Sequence, residues 1–339
     1  MRAVVVETFG GPEVLELQDV DDPVAPPGGY VVSVAAAAIN FADVVERRGL
    51  YKRDQRLPLR MGKEAAGVVV ERHPDAVGFE VGDPVIVVCF GNGCYAERVA
   101  VQGHEVLRPP RGLTFAEMAA FGTAFATAWY GMHEIARVRP GESALIPAAA
   151  GGVGTAAVLL ARSVGCGPVI GTAGGSAKCE LVTGLGADAC VDYAVDDLRD
   201  TVRELTDGRG VDYCLESVGG ETYARCLESL APMGRLVVIG FSSVAADYAN
   251  AIPRLHPLSI FQRSIVIGGL NLDNLEFTRR RDTWDALVAH SERHELRPVV
   301  GQLLPFEDVQ QAHTALESRR STGKVVLSLD GKAEDVPVA

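Results

Sequence analysis

The chain has 339 residues, 47 % of them hydrophobic, and 44 acids against 32 lysines and arginines give a net charge of −12. That length suits about two domains, and the acidic balance argues against a nucleic-acid surface. The longest apolar run, Val34–Ile39 with its neighbours, falls well short of the ~20 residues of a membrane span, and no charged-then-apolar leader opens the chain.

The first 120 residues hold β-like runs at Val31–Ala37, Ala66–Glu71, Pro84–Cys89 and Tyr95–Val101. Turns such as Pro26-Pro27-Gly28-Gly29 and Val81-Gly82-Asp83 break them, and long crossover helices are scarce. This pattern predicts a largely antiparallel domain. From about Ser143 onward, strand-like runs (Ser143–Ala148, Pro168–Thr172, Ala189–Val191, Val211–Glu216, Arg235–Ile239, Ser264–Gly268) alternate with helical ones (Thr155–Val164, Lys178–Leu185, Leu198–Leu205, Glu221–Leu230). Near-continuous apolar strands in such alternation predict a parallel sheet covered on both faces, and six of them make a doubly wound α/β domain. Asp282–His294 and Glu307–Ser318 then read as helices and Lys324–Leu329 as a last strand. That strand lies too far from the alternation to extend the parallel sheet, so the tail is assigned back to the first domain. The expected domains are 1–123 with 268–339, and 124–267. The last ten residues are expected to fray.

Seven cysteines (Cys89, Cys94, Cys166, Cys179, Cys190, Cys214, Cys226) contain no CxxC pair and read as reduced, mostly buried thiols of a cytoplasmic protein. His290 and His294 share a helix face, but they stand in a charged stretch with no third ligand and read as a solvated surface.

The strand Ser143–Ala148 runs into Ala149-Ala150-Gly151-Gly152-Val153-Gly154, which opens directly into an apolar helix. A glycine cluster in that context is a dinucleotide turn. Free N–H groups and the dipole at the helix start favour a pyrophosphate. Gly152 allows close backbone approach, and Gly154 allows the helix to pack on the strand. The next strand ends Gly171-Thr172-Ala173-Gly174-Gly175-Ser176, without the acid that would bind a ribose 2′-hydroxyl, and Lys178 follows. That favours NADPH over NADH.

Further landmarks are Phe9-Gly10-Gly11-Pro12-Glu13-Val14-Leu15, Ile39-Asn40-Phe41-Ala42-Asp43, Arg48-Gly49-Leu50-Tyr51, Gly62-Lys63-Glu64-Ala65-Ala66-Gly67-Val68, Thr127-Ala128-Trp129, Gly186-Ala187-Asp188, Gly210-Val211-Asp212 and Ser217-Val218-Gly219-Gly220. With these, the chain resembles the medium-chain dehydrogenase/reductase superfamily in its zinc-free quinone-oxidoreductase branch, over almost everything from Met1 to Leu329. It looks like the sub-branch of vesicle amine transport protein-like reductases, and enoyl-thioester reductases share the architecture. The resemblance implies a Rossmann sheet plus a discontinuous, mostly antiparallel GroES-like catalytic domain, an active site in the cleft between domains, and a homodimer formed through the strand near Ser264–Gly268. It implies that Lys178 and Tyr193 contact a 2′-phosphate near Gly174. It also places Thr127 and Asn40 near the nicotinamide, Ser217, Gly240, Phe241 and Ser242 along the cofactor, and Leu270 and Leu272 at its carboxamide end. Zinc-dependent relatives carry Cys, His and Cys in the slots of Asn40, Lys63 and Thr123, so no catalytic zinc is expected.

Without a Lewis acid, direct alcohol oxidation is disfavoured. Hydride delivery to a quinone, or to the activated C=C of an α,β-unsaturated carbonyl, needs mainly alignment and a dry pocket. An enoyl-CoA substrate and a cofactor-binding scaffold with little catalysis are the alternatives. The candidate catalytic residues are Asn40, Tyr51 and Lys63. Tyr51 either donates a proton or walls the pocket, and Asn40 binds either a substrate carbonyl or the cofactor ribose. Lys63 either points inward, where a cation stabilises a developing enolate, or is a surface lysine. Glu64 reads as a buried acid paired to a neighbour. Seven cations (Arg47, Arg48, Lys52, Arg53, Arg56, Arg60, Lys63) against Glu46 and Asp54 form a patch that would attract an anionic substrate such as an acyl-CoA, and Arg279-Arg280-Arg281 could add to it.

Overall fold

The computed structural model describes residues 1–51, 55–89, 93–243, 257–275, 277–329 and 331–336, with the backbone alone at 277–280. The chain divides into two compact units, Met1–Thr123 with Glu276–Ala339, and Ala124–Leu275.

The chain enters the first unit through β1 (Arg2–Val6), β2 (Glu16–Asp19), β3 (Gly29–Ile39), α1 (Phe41–Arg47), β4 (Leu59–Arg60), β5 (Glu64–Arg72), β6 (Pro84–Val88), β7 (Arg98–Gln102) and β8 (Val106–Leu107), followed by α2 (Phe115–Trp129). The central strand is β3. Its Ala35–Ala38 run is buried, and Ala36–Ala38 pairs antiparallel with Glu64–Ala66 of β5 on one side and with Val326–Ser328 on the other. Burial and pairing there override the helix preference of alanine. The second unit contains β9 (Ala144–Ile146), α3 (Gly152–Ser163), β10 (Val169–Ala173), α4 (Ser176–Gly184), β11 (Ala189–Asp192), α5 (Leu198–Leu205), β12 (Val211–Glu216), α6 (Gly220–Glu228), β13 (Leu230–Val238), α7 (Pro257–Arg263) and β14 (Val266–Gly269). Its six strands run parallel in the order β11-β10-β9-β12-β13-β14. This is the doubly wound dinucleotide-binding order.

The chain returns to the first unit with α8 (Phe277–Arg293), β15 (Val300–Pro305), α9 (Val309–Glu317) and β16 (Lys324–Ser328). β16 pairs antiparallel with β3, Val325 opposite Ile39, and completes the order β15-β16-β3-β5-β6-β8, with β7 also on β3. The core beneath this sheet includes Val32, Ile39, Met61, Val87, Tyr95, Phe306 and Leu327.

Several elements depart from the pattern in the sequence. α2 is apolar all round, so no amphipathic period marks it. Helix α6 stops at Glu228 and the next strand begins at Leu230, because Pro232 biases Ala231 toward an extended backbone. The thiol expectation also needs correction. Cys89, Cys94, Cys166, Cys214 and Cys226 are free and buried, but Cys179 on α4 is disulfide-bonded to Cys190 on β11. Packing of α4 against β11 brings the two Cα atoms to 5.2 Å, within bridging range. The bridge closes a sequence separation of 11 residues. A loop of that size predicts that reduction lowers unfolding stability by about 3 kcal/mol, read from urea curves with and without a thiol reductant. Cys179→Ser should lose the same amount and become insensitive to the reductant.

α1 and α9 enclose a buried charged cluster. Arg47 is fully buried; its Nη2 donates to Glu317 Oε1 at 2.9 Å, and its Nη1 lies 3.4 Å from His313 Nδ1. Burial, reinforced by Arg47, pushes the His313 pKa down from 6.5 to about 3. Below about pH 6.5 the unfolded chain therefore binds a proton that the folded chain refuses, and stability falls with pH at about 1.4 kcal/mol per unit. Asp43 acts oppositely. Burial raises its pKa from 3.8 to about 6, so folded Asp43 holds a proton that the unfolded chain releases, and acidification through that window is stabilising. The two slopes oppose each other between about pH 4 and 6, leaving His313 alone just above that range. His313→Gln should therefore gain about 2 kcal/mol relative to the parent between pH 7 and pH 5. Urea unfolding at the two pH values checks this, and an unchanged difference would contradict it.

Candidate active site

Strand β9 delivers the chain into the glycine turn. Ala148 adopts a positive φ of 50° and its carbonyl accepts the Gly151 N–H at 2.9 Å. Gly151 then caps α3 with no side chain of its own. The N–H groups of Gly152, Val153 and Gly154 belong to the first helical turn, which precedes the intrahelical ladder. The Thr155 N–H already donates back to the Gly151 carbonyl at 2.8 Å. A Cβ on Gly154 would stand 2.2 Å from the Ala148 oxygen and 2.7 Å from the Ala149 Cα. Only glycine lets the helix start this close to the strand, and the N–H groups of such a first helical turn are suited to a pyrophosphate.

Strand β10 ends without an acid. Gly175, at φ 87°, caps α4, and a Cβ on Gly174 would meet the Tyr193 hydroxyl at 2.5 Å. Tyr193, largely exposed, therefore lies against Gly174. Lys178 is half-buried in the first turn of α4, and burial lowers its pKa from the usual lysine range. The Cys179–Cys190 bridge ties the segments carrying Lys178 and Tyr193 to each other.

Ser217, Gly240 and Ser242 converge at the ends of β12 and β13. The Ser242 N–H donates to the Ser217 carbonyl at 3.1 Å, and a Cβ on Gly240 would lie 3.4 Å from the same oxygen. Phe241 stands between them in sequence, partly buried. The loop is held by Glu216, which sequence reasoning missed. Its buried Oε1 accepts the N–H groups of Val218 at 2.7 Å and Gly219 at 2.8 Å, and burial raises its pKa. An acid directly before Ser-Val-Gly-Gly was the available signal. Leu270, buried, follows β14 and donates its N–H to the Val238 carbonyl at 2.9 Å. Leu272 is partly buried at the start of a short 3-10 turn, and Thr127 is buried within α2.

In the first unit a second set of polar groups surrounds the start of α1. Asn40 is the N-cap residue. Its backbone N–H and the Tyr95 hydroxyl both donate to Asp43 Oδ2, at 2.7 Å each. Lys63 points inward. It is 7 % exposed, with Nζ 3.2 Å from Glu46 Oε2 and 4.4 Å from the centroid of the Tyr51 ring. The Tyr51 face thus carries a cation. Glu64, fully buried, accepts the Thr123 N–H on Oε2 at 2.6 Å and the Asn40 Nδ2 on Oε1 at 2.9 Å. Lys324, from β16 at the far end of the sequence, donates to Asn40 Oδ1 at 2.9 Å and pairs with Glu64. No local motif announces Lys324; the β16–β3 register puts it there.

The slots of Asn40, Lys63 and Thr123 offer an amide, an ammonium and a hydroxyl, which do not fit the Cys/His set of a catalytic zinc. Among the described residues no group of three or more His, Cys, Asp or Glu could hold a metal, and His290 and His294 stack on each other with ring centroids 4.4 Å apart. The basic patch is smaller than the sequence implies. Arg47 is buried against Glu317, Lys63 is buried against Glu46, and Arg48 also pairs with Glu317. Arg56 and Arg60 are exposed. Lys52, Arg53 and Asp54, with the side chains of Arg279 and Arg280, lie outside the described residues.

A strand–glycine turn–helix on a six-stranded parallel sheet, joined in one chain to an antiparallel unit whose zinc slots are filled by other chemistry, defines a zinc-independent dinucleotide-dependent oxidoreductase. Family comparisons agree with this class. Residues 26–147 match the alcohol dehydrogenase GroES-like domain and residues 185–327 match the zinc-binding dehydrogenase family. The quinone oxidoreductase of Lama guanicoe is 33 % identical over 97 % of this chain and 98 % of its own. The chain also matches a phenolphthiocerol/phthiocerol polyketide synthase of Mycobacterium tuberculosis at 36 % identity, over 90 % of this chain but only 14 % of that protein's length. Among solved structures, mycobacterial Rv1454c complexed with NADPH superposes with a TM-score of 0.88 at 29 % identity, over 97 % of this chain and 100 % of that one. The CurK enoyl reductase superposes at 0.86 and 26 % identity, over 96 % and 98 %. The chain belongs to the medium-chain dehydrogenase/reductase superfamily, in its zinc-independent quinone-oxidoreductase branch. Its activity is that of an NAD(P)H-dependent oxidoreductase.

Proposed function

We propose that this protein uses NADPH to reduce a quinone or the activated C=C of an α,β-unsaturated carbonyl. The observation that carries the reading is the glycine turn at Gly151–Gly154, followed by a second strand that ends without an acid and leads into Lys178. A ribose 2′-phosphate meets no repulsion there, and Lys178 and Tyr193 supply a cation and a hydroxyl for it. The complex of Rv1454c with NADPH supports the same choice. Bound in this way, NADPH supplies the hydride. Ser217, Gly240, Phe241, Ser242, Thr127, Leu270 and Leu272 are assigned to hold it along the strand ends.

The chain's own residues would manage the charge that follows. Hydride arriving at an electrophilic carbon leaves an enolate or hydroquinone anion, which then takes a proton. Lys63 supplies a fixed cation in a buried setting, where it acts more strongly than in water. Tyr51, whose ring faces that cation, is assigned as proton donor. Asn40 is assigned to hydrogen-bond the acceptor carbonyl or the cofactor ribose. A second reading, reduction of an enoyl thioester, is supported by the likeness to the CurK enoyl reductase. With Arg47 and Lys63 turned inward, the basic patch lends an acyl-CoA less support than the sequence implied. The protein is further proposed to act as a homodimer through β14, the last strand in the sheet order.

Lys178→Ala tests the cofactor assignment. Loss of a charge-assisted contact to phosphate should raise KM for NADPH by about tenfold and leave KM for NADH unchanged. Equal effects on both cofactors would remove Lys178 from the 2′-phosphate site.

A further inference from the structure

Lys324 is separated by 260 residues from Glu64, yet it is only 5 % exposed and its ammonium reaches two residues of the Asn40 site, Asn40 itself and Glu64. A buried ammonium is costly unless it is paired and hydrogen-bonded. Here the pairing is asymmetric in a useful way. The ammonium faces Asn40 Oδ1, while the carboxylate of Glu64 faces Asn40 Nδ2. A cation on the oxygen side and an anion on the nitrogen side fix which way the carboxamide points, since a flipped amide would set its NH2 against the ammonium and its oxygen against the carboxylate. Glu64 is itself anchored by the Thr123 N–H. The arrangement depends on strand register. Val325 stands opposite Ile39, so the residue before Val325 meets the residue after Ile39.

We propose that Lys324 is a positioning residue: together with Glu64 it locks the carboxamide of Asn40 in the one orientation that serves hydride transfer. The proposal rests on the role given to Asn40 above. Lys324 touches neither cofactor nor acceptor in this scheme and acts only through Asn40.

A double-mutant cycle tests this. Asn40→Ala, Lys324→Met and the double variant are compared in the full-length protein by NADPH affinity from fluorescence titration and by kcat and KM for whichever of 1,4-benzoquinone or crotonyl-CoA the parent turns over faster. Whichever quantity Asn40→Ala worsens, Lys324→Met should worsen by roughly tenfold, as expected for a misaimed contact, and it should add less than twofold in the Asn40→Ala background. A merely structural lysine would lower thermal stability and give the same factor in both backgrounds, which overturns the proposal. Unchanged affinity and turnover in folded Lys324→Met overturn it as well. If Lys324→Met does not fold, Lys324→Arg keeps the charge while moving its donors, and the same cycle is read on it. Asn40→Ala with parental affinity and turnover defeats the role given to Asn40, and this proposal with it. An effect of Asn40→Ala without one from Lys324 defeats this proposal alone.

Discussion

Gly154→Val is expected to abolish measurable NADPH binding and to lower unfolding stability by about 3 kcal/mol, the upper end of ordinary overpacking costs. The reason is the identity of the neighbours. The added Cβ meets the Ala148 oxygen and the Ala149 Cα, both backbone atoms of the turn between β9 and α3. A flexible side chain could swing away, whereas backbone can yield only if the helix start moves off the strand. The N–H groups proposed to hold the pyrophosphate move with it, so stability and affinity should fall together. Gly184, at the end of α4 with nothing within 4 Å of its Cβ position, is the control. Gly184→Ala should leave binding intact and be neutral or slightly stabilising. Isothermal titration with NADPH and urea unfolding of both variants decide the matter. A Gly154→Val protein that binds NADPH normally would contradict the assignment of the turn.

Lys63→Met is expected to have the second large effect. Glu46 is 1 % exposed and lies 3.2 Å from the Lys63 ammonium. Removing one partner of a buried pair leaves an uncompensated charge and costs about 3–5 kcal/mol. The Tyr51 ring also loses the cation above its face. On the proposed mechanism kcat falls at least tenfold, because no fixed positive charge remains to meet the enolate. Combining Lys63→Met with Glu46→Gln separates the two consequences. The double variant should recover most of the stability and none of the turnover. Recovery of both would make Lys63 a structural residue only.

The parallel sheet is legible in the sequence because its inner strands β9, β10 and β12 are buried throughout and read as apolar runs. The return of the last strand to the antiparallel unit is legible by exclusion, since Lys324–Leu329 falls outside the strand–helix alternation. α2 is not legible, because a helix that is apolar on every side carries no period to detect. At the candidate site, the glycine turn and the missing acid after β10 are local signals and can be read directly. The inward turn of Lys63 and Arg47 is not local. It is decided by Glu46 on α1 and by Glu317 on α9, and a count of charges along the sequence sees only a basic patch. Lys324 and the Cys179–Cys190 bridge are hidden for the same reason. Strand register and helix packing create those contacts, and no spacing in the sequence records them.

Reduction of a quinone or activated alkene by NADPH is tested most directly by following loss of reduced-nicotinamide absorbance. NADPH, and in parallel NADH, would be run against a panel of quinones, small enones and enoyl-CoA esters. NADPH preferred over NADH, with turnover of a quinone or enone, is the predicted result; faster turnover of a CoA ester would select the enoyl-thioester reading. Tight NADPH binding without turnover of any acceptor would contradict the proposed function and leave a cofactor-binding scaffold.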